Sequence, residues 1–420
     1  MIEGSFGKRR KLYLSLSIIA NVLVLAIFKY YNFFIDNVNE LLGALELTVH
    51  ELPYLKIILP IGLSFHTFQA MSYTIEVYRG NVKPERHLGY YSLYVMFYPQ
   101  LVAGPIERPQ NILPQLHEYH AYDHSKLVSG LRLMLWGLFK KVVIADRLGV
   151  IVDEVFNHTN QYTGLAYIVA TICFGIQIYC DFSGYSDIAI GSSRTMGIEL
   201  MTNFKRPYFS FTVSEFWRRW HISLSTWFRD YVYIPLGGSR VSALRRQINL
   251  FIVFLISGFW HGASWNFVIW GGLHGTFLMA GNVVNERVPF FKQRNVVNLM
   301  LTFVLVNVAW IFFRAGTFSS AMHIVTHLFT PLINGDYLVL AKNDLNNNAI
   351  YLGQPFWRFA GSLMLIPFLL LCDWLIEKGY AHSFVVRGPL LLRWTAYCLA
   401  IVVILIFGVF DTDSFIYFQF

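Results

Sequence analysis

Along its 420 residues the chain alternates long apolar runs with short breaks that are polar, basic or rich in proline. A membrane crossing needs about 20 largely apolar residues. Runs of that order fall near residues 12–35, 54–76, 127–150, 162–190, 249–282, 295–315, 356–376 and 391–410, and they predict helices in a bilayer. The stretch 88–103 is shorter and runs into "PQLVAGPIERP" (99–109). Its prolines break helices, so a bent or re-entrant segment is expected there. The predicted fold class is an all-α polytopic membrane protein, organised as one integral-membrane domain over 1–420 without internal repeats.

Between the fourth and fifth runs lies a different pattern. "SEFWRRWHISLSTWFRDYVYIPLGG" (214–238) interleaves Trp217, Trp220, Trp227 and Phe228 with Arg218, Arg219 and Arg229. Such a stretch is expected to lie in the membrane interface, rings in lipid and charges at headgroups or a bound anion. It sits inside a basic region, 191–247, with nine Lys or Arg against three acidic residues. That excess places the region on the cytoplasmic side, as do Lys8, Arg9, Arg10 and Lys11 for the N-terminus. Asp36, Glu40, Glu46 and Glu51 put the loop after the first run outside. "GKRRK" (7–11) precedes an apolar run too long for a cleavable signal peptide.

Composition agrees with the pattern. Hydrophobic residues make up 55% of the chain and charged ones 14%, against roughly 25% in an ordinary soluble domain. A soluble chain of this kind would expose too much apolar surface to stay dispersed. The formal net charge of +8 resides in loops, with no basic groove motif, so nucleic acid is not an expected partner. The four cysteines lie in apolar runs without a C-x-x-C pair and read as buried structural thiols.

Histidines inside apolar runs are costly and mark paths, ligands or catalysts. "SGFWHGASWNFVIWGGLHGTF" (257–277) holds two, His261 and His274. On one continuous helix, 13 residues would separate them by about 20 Å, so a shared site is not expected. Ser257, Gly258 and Gly262 around His261 permit a helix break and an imidazole open to a cavity. Gly271 and Gly275 have the small-xxx-small spacing of helix packing, which gives His274 a structural role. Asp181 and Asp187 in "YCDFSGYSD" (179–187) read either as a capped, kinked helix end or as a coupling-ion site. "HIVTH" (323–327) has the spacing of a zinc pair but no acidic residue between, and no metal is expected.

The segments "FWRRWHISLSTWFRDYVYIPLGG" (216–238) and "SGFWHGASWNFVIWGGLHG" (257–275) resemble the membrane-bound O-acyltransferase superfamily. The branch they resemble contains the alginate O-acetyltransferase membrane subunit. Further matching stretches are "LPIGLSFHTFQAMSYTIEVYRG" (59–80), "FYPQLVAGPIERP" (97–109), "YCDFSGYSDIAIG" (179–191) and "FIYFQF" (415–420). The resemblance implies a multi-helix bundle with re-entrant and interfacial helices, and it marks His261 as catalytic with His221 in the second signature. It further implies transfer of an acetyl group from a cytoplasmic thioester, acetyl-CoA or a carrier, toward an extracytoplasmic glycan. No cofactor would be bound. A secreted SGNH hydrolase-like acetyltransferase would be a partner, and the bacterial inner membrane the location. Arg218, Arg219, Arg229, Gly237 and Gly238 are the donor-binding candidates. Family members usually carry further helices before the position of Met1. The rival readings are D-alanyl transfer to teichoic acid, a lipid or protein acyltransferase, and a transporter coupled through Asp181 and Asp187.

Overall fold

The computed structural model describes residues 2–46, 52–57, 60, 62–162, 164–329, 351–380, 384, 388–410 and 415. Among these residues the regular elements are all helical. α1 (Gly7–Leu25) passes through a π-helical turn, Ala26–Tyr30, into α2 (Tyr31–Ala44). α3 (Leu63–Arg79) begins nine residues later than the apolar run at 54 suggests, because Pro60 and Gly62 (φ +75°) hold the approach out of helix. The short α4 (Leu88–Val95), a 3₁₀ turn at Tyr98–Gln100 and α5 (Pro109–His117) follow. The proline-rich stretch is therefore a bend, as expected.

α6 (His124–Leu138) starts on Asp123, whose carboxylate accepts from the Ser125 and Lys126 amides. A π-helical segment, Phe139–Ala145, leads into α7 (Asp146–Asn157). α8 (Gly164–Thr195) is the central helix, with 72% of its most apolar window buried. It lies antiparallel along α6 through two glycine pairs. A Cβ on Gly130 would meet the Gly191 carbonyl at 2.5 Å, and one on Gly137 the Gly184 carbonyl at 2.6 Å. Small residues here let the two backbones touch, the usual source of helix adhesion in lipid.

α9 (Val213–Arg219) and α10 (Ile222–Phe228) are two short helices, followed by a π-helical turn at Arg229–Tyr233. α11 (Ala243–His261) and α12 (Trp265–Arg287) form a hairpin, with Ser264 capping α12 through the Asn266 amide. α13 (Val296–Arg314) and α14 (Phe318–His327) pack against α8 and α12. α15 (Phe356–Glu377) and α16 (Leu390–Phe407) lie outermost.

Among the described residues, six helical stretches are long and apolar enough to cross a membrane: Gly7–Ala44, α8, α12, α13, α15 and α16. The runs at 54–76 and 127–150 are not among them. The second carries Lys140, Lys141, Asp146 and Arg147 through its middle. The run at 249–282 is two helices rather than one span. The main core gathers around α7, α8 and α13, centred on Phe174, Trp270 and Trp310.

Candidate active site

The 214–238 stretch does not lie with its rings in lipid. Trp217, Trp220, Trp227 and Phe228 are at most 8% exposed and turn into the bundle. The reason is that the interior supplies partners for indole N–H groups. Trp227 Nε1 donates to Ser72 Oγ at 2.8 Å, and Trp217 Nε1 donates to His274 Nδ1 at 3.2 Å. A Trp whose N–H is satisfied gains from full burial.

His221 stands at the junction of α9 and α10 with φ +42°, a left-handed conformation that is strained for a side chain of this size. Asn203 holds it there. Asn203 Oδ1 accepts from the Ser223 amide at 3.2 Å and from Ser223 Oγ at 2.9 Å, while Asn203 Nδ2 donates to Ser186 Oγ at 3.2 Å. The backbone N–H of Ser223 identifies that amide atom as oxygen, so His221 Nδ1, 3.1 Å away, must carry the proton and donate. The lone pair of His221 is then on Nε2, which is buried and has no hydrogen-bond partner. Phe182 lies edge-on to the ring at 4.6 Å, and Phe65 faces it at 6.4 Å.

His261 is the last residue of α11, and Gly262–Ser264 is the break that its small neighbours permit. The open carbonyls of this helix end are held from the first helix. Lys29 Nζ donates to the Trp260 carbonyl at 3.0 Å and to the His261 carbonyl at 2.8 Å, and Tyr30 Oη donates to the Phe259 carbonyl at 3.0 Å. A cation at a helix C-terminus is favourable, and here it fixes the direction of the His261 side chain. The imidazole, 7% exposed, sits among Trp260, Trp270 and Phe313 at ring-centroid distances of 4.8, 5.0 and 5.5 Å. His221 and Lys29 lie within electrostatic reach of it.

The hairpin overturns the separation of about 20 Å expected for His261 and His274 on a continuous helix. Both rings have centroids 5.0 Å from Trp270, one on each side of the hairpin. The tautomer of His274 sets it apart from His221 in kind. His274 Nδ1 accepts the Trp217 N–H, so its basic nitrogen is occupied, whereas that of His221 is not.

The other candidates are not gathered here. Arg219 is paired with Glu215 at 2.9 Å and Glu377 at 3.4 Å, and Arg229 with Asp230 at 2.8 Å. Gly237 and Gly238 occupy positive φ in a turn whose carbonyls, Ile234 and Tyr233, take their N–H groups. Arg218 is exposed, with no recorded partner among the described residues. Asp181 and Asp187 are ion-paired inside the bundle, to Lys141 at 2.7 Å and to Lys140 at 2.8 Å. His323 and His327 stack at 4.2 Å, and His327 Nδ1 meets its own helix carbonyl at His323. Cys173 and Cys180 are buried, but Cys372 is half-buried and Cys398 exposed, so the cysteines are not all interior. In "FIYFQF" only Phe415 is described; it packs on Phe182 at 6.0 Å, and the rest lies outside the described residues.

His261 at the end of α11, His274 on α12 and His221 between α9 and α10 are thus all buried and ringed by aromatic side chains within an apolar bundle. The model of the MBOAT, membrane-bound O-acyltransferase, family matches residues 47–321. The probable alginate O-acetylase AlgI of Pseudomonas aeruginosa is 40% identical over 390 residues, covering 92% of this chain and 72% of its own. The peptidoglycan O-acetyltransferase of Helicobacter pylori is 33% identical over 451 residues, 98% of this chain and 83% of its own. The teichoic acid D-alanyltransferase of Streptococcus thermophilus is 30% identical over 251 residues, 57% and 59%. This chain belongs to the membrane-bound O-acyltransferase family and is a multi-pass membrane acyltransferase by class. It spans between 63% and 69% of the length of three further relatives named alginate O-acetylase.

Proposed function

We propose that the protein transfers an acetyl group from a cytoplasmic thioester, acetyl-CoA, toward a glycan outside a bacterial inner membrane, with His261 as the base. The observation that carries this reading is the placement of His261 at the α11 break, its backbone clamped by Lys29 and Tyr30. In the reaction the acceptor hydroxyl attacks the thioester carbonyl as imidazole takes its proton. The C–S bond then breaks, and the proton passes to the departing thiolate, giving an ester and a free thiol. Such a base contributes roughly 10²–10⁴-fold. His221, whose tautomer leaves its Nε2 lone pair facing the same aromatic pocket, is the second imidazole of this centre.

A glycan acceptor is supported by relatives named for O-acetylation of alginate and of peptidoglycan that match over most of this chain. D-alanyl transfer from a carrier protein is the second reading, favoured only by the shorter match to the teichoic acid enzyme. Arg218 is the cation best placed to meet a donor phosphate, since Arg219 and Arg229 are already paired. Hand-over of the acyl group to a secreted SGNH hydrolase-like acetyltransferase completes the proposal.

The test is mass spectrometry of cell glycans in a gene deletion complemented with His261→Ala. Acetylation per monodisperse protein molecule should fall at least about 10²-fold. Near-normal acetylation would remove His261 from the chemistry.

A further inference from the structure

An apolar groove of about 630 Å³ runs between α6, α15 and α16, and neither His221 nor His261 lines it. α15 and α16 each pack on the 139–145 π segment but barely meet each other, and the groove is the gap they leave. Trp136, Phe139, Phe368, Cys372, Ala400 and Val403 are among the side chains along it. Its length on α15, from Leu365 to Ile376, is eleven helical rises or about 16 Å, half of a hydrocarbon core of about 30 Å. The groove is therefore about one leaflet deep. The outer faces of α15 and α16 carry exposed Met364, Leu371, Leu405 and Ile406, so bilayer lipid is what surrounds it.

One end is polar, and its polarity has a sign. The Arg132 guanidinium lies 5.5 Å over the Tyr397 ring and, among the described residues, makes no ion pair; its Nε is buried without a partner. The Tyr397 hydroxyl is likewise buried without a partner. Arg393 lies one turn earlier on α16, outside the groove lining. The acids nearby on α15 are engaged elsewhere: Glu377 pairs with Arg206 and Arg219, and Asp373 accepts from Tyr179 Oη at 2.9 Å. A cation at the rim of an apolar slot with no available carboxylate selects a phosphate that carries hydrocarbon.

We propose that this groove binds one acyl chain of an anionic phospholipid, with Arg132 and Tyr397 at the phosphate. The lipid belongs to the leaflet on the side of the 191–247 region, because Arg206 and Arg219 of that region meet Glu377 at the same end of α15. It fastens the outermost helices, which otherwise have little protein to pack on.

The two cysteines of this region supply the assay. Cys372 lines the groove, and Cys398 lies exposed on α16 outside it. Delipidated protein in detergent is alkylated with N-ethylmaleimide in the presence of phosphatidylglycerol or phosphatidylethanolamine, and each site is followed by peptide mass spectrometry. At a lipid concentration about ten times Kd, phosphatidylglycerol should slow Cys372 about tenfold and leave Cys398 unchanged. Phosphatidylethanolamine should protect far less, and Arg132→Gln should abolish the difference between the two lipids. Ala400→Trp, which fills the groove, should make Cys372 slow without lipid and remove retained lipid in native mass spectrometry. Equal protection by both lipids, no protection by either, or a preference that survives in Arg132→Gln would overturn the proposal.

Discussion

Replacing Gly258 by alanine probes the contact that shapes the site. Gly258 on α11 faces Gly271 on α12, and an added Cβ would lie 2.2 Å from the Phe267 carbonyl and 3.1 Å from the Gly271 Cα. The obstacle is helical backbone, so relief requires α12 to move by about 1 Å, given that non-bonded carbon contacts are comfortable near ~3.5 Å. That movement carries Trp270, the ring shared by His261 and His274. Overpacking of this kind costs about 1–3 kcal/mol, and the better helix propensity of alanine returns at most about 1. Stability should fall by about 1–2 kcal/mol, while a displacement near 1 Å at reacting groups costs about 10²-fold in rate. Gly272 is the internal control: its Cβ would meet only Leu255 Cδ2, at 3.6 Å. Gly272→Ala should therefore be neutral or slightly stabilising, with full activity. The assay is thermal denaturation in detergent together with acyl transfer per folded molecule for each variant. Equal behaviour of Gly258→Ala and Gly272→Ala would show that the hairpin contact does not set the site.

Trp217→Phe removes the N–H that His274 accepts and should cost about 1 kcal/mol with activity per folded molecule retained, and His274→Ala should likewise lose activity only through stability; a well-folded but inactive His274→Ala would contradict the packing role. Asp187→Asn leaves Lys140, 4% exposed, without its counter-ion and should destabilise the fold by about 3–5 kcal/mol, whereas Lys140→Met with Asp187→Leu should recover most of it in the same melting assay. Desolvation raises the Glu107 carboxyl above its ordinary range, opposed in part by N–H groups of Asn111 and Met201. Its protonated form is thus favoured by folding, so stability is greatest below the unfolded carboxylate pKa and declines as pH rises through the folded value. A melting curve measured across that range should fall with pH, and Glu107→Gln should flatten it.

Apolar run length showed several membrane-length helices well, because in lipid a crossing helix must be long, apolar and internally hydrogen-bonded. α8, α13, α15 and α16 begin and end within a few residues of their runs. The failures arose where tertiary partners reverse a local signal. The basic, aromatic 214–238 stretch has the composition of an interfacial helix, yet its indoles enter the core because Ser72, the Phe68 carbonyl and His274 accept their protons. Asp181 and Asp187 read either as a capped helix end or as an ion-coupling site, and nothing local announced that Lys140 and Lys141, some 40 residues earlier, would meet them. Asn203, Lys29 and Tyr30 carried no motif at all. Their roles come from hydrogen bonds spanning up to 232 positions, which no sequence window reports.

The glycines around His261 pointed to a helix break, and the break decides more than the exposure of one imidazole. A continuous helix would have put His274 at the far end of the segment, and the argument for a lone His261 would have rested on distance. With the chain folded back, both imidazoles touch Trp270, and distance no longer separates them. What sets His274 apart from His221 in this bundle is which nitrogen is already occupied. An amide oxygen takes the Nδ1 proton of His221 and leaves a basic nitrogen among aromatic rings; an indole fills the basic nitrogen of His274 and leaves only a donor. A general base needs an available lone pair, so His274 is unsuited to the chemistry even though it lies beside it. Trp310 bridges the two signature segments, tilted against Trp220 at 5.1 Å and stacked on Trp270 at 5.6 Å between centroids. Ring contact thus links α9 to the α11 hairpin although 40 residues separate His221 from His261.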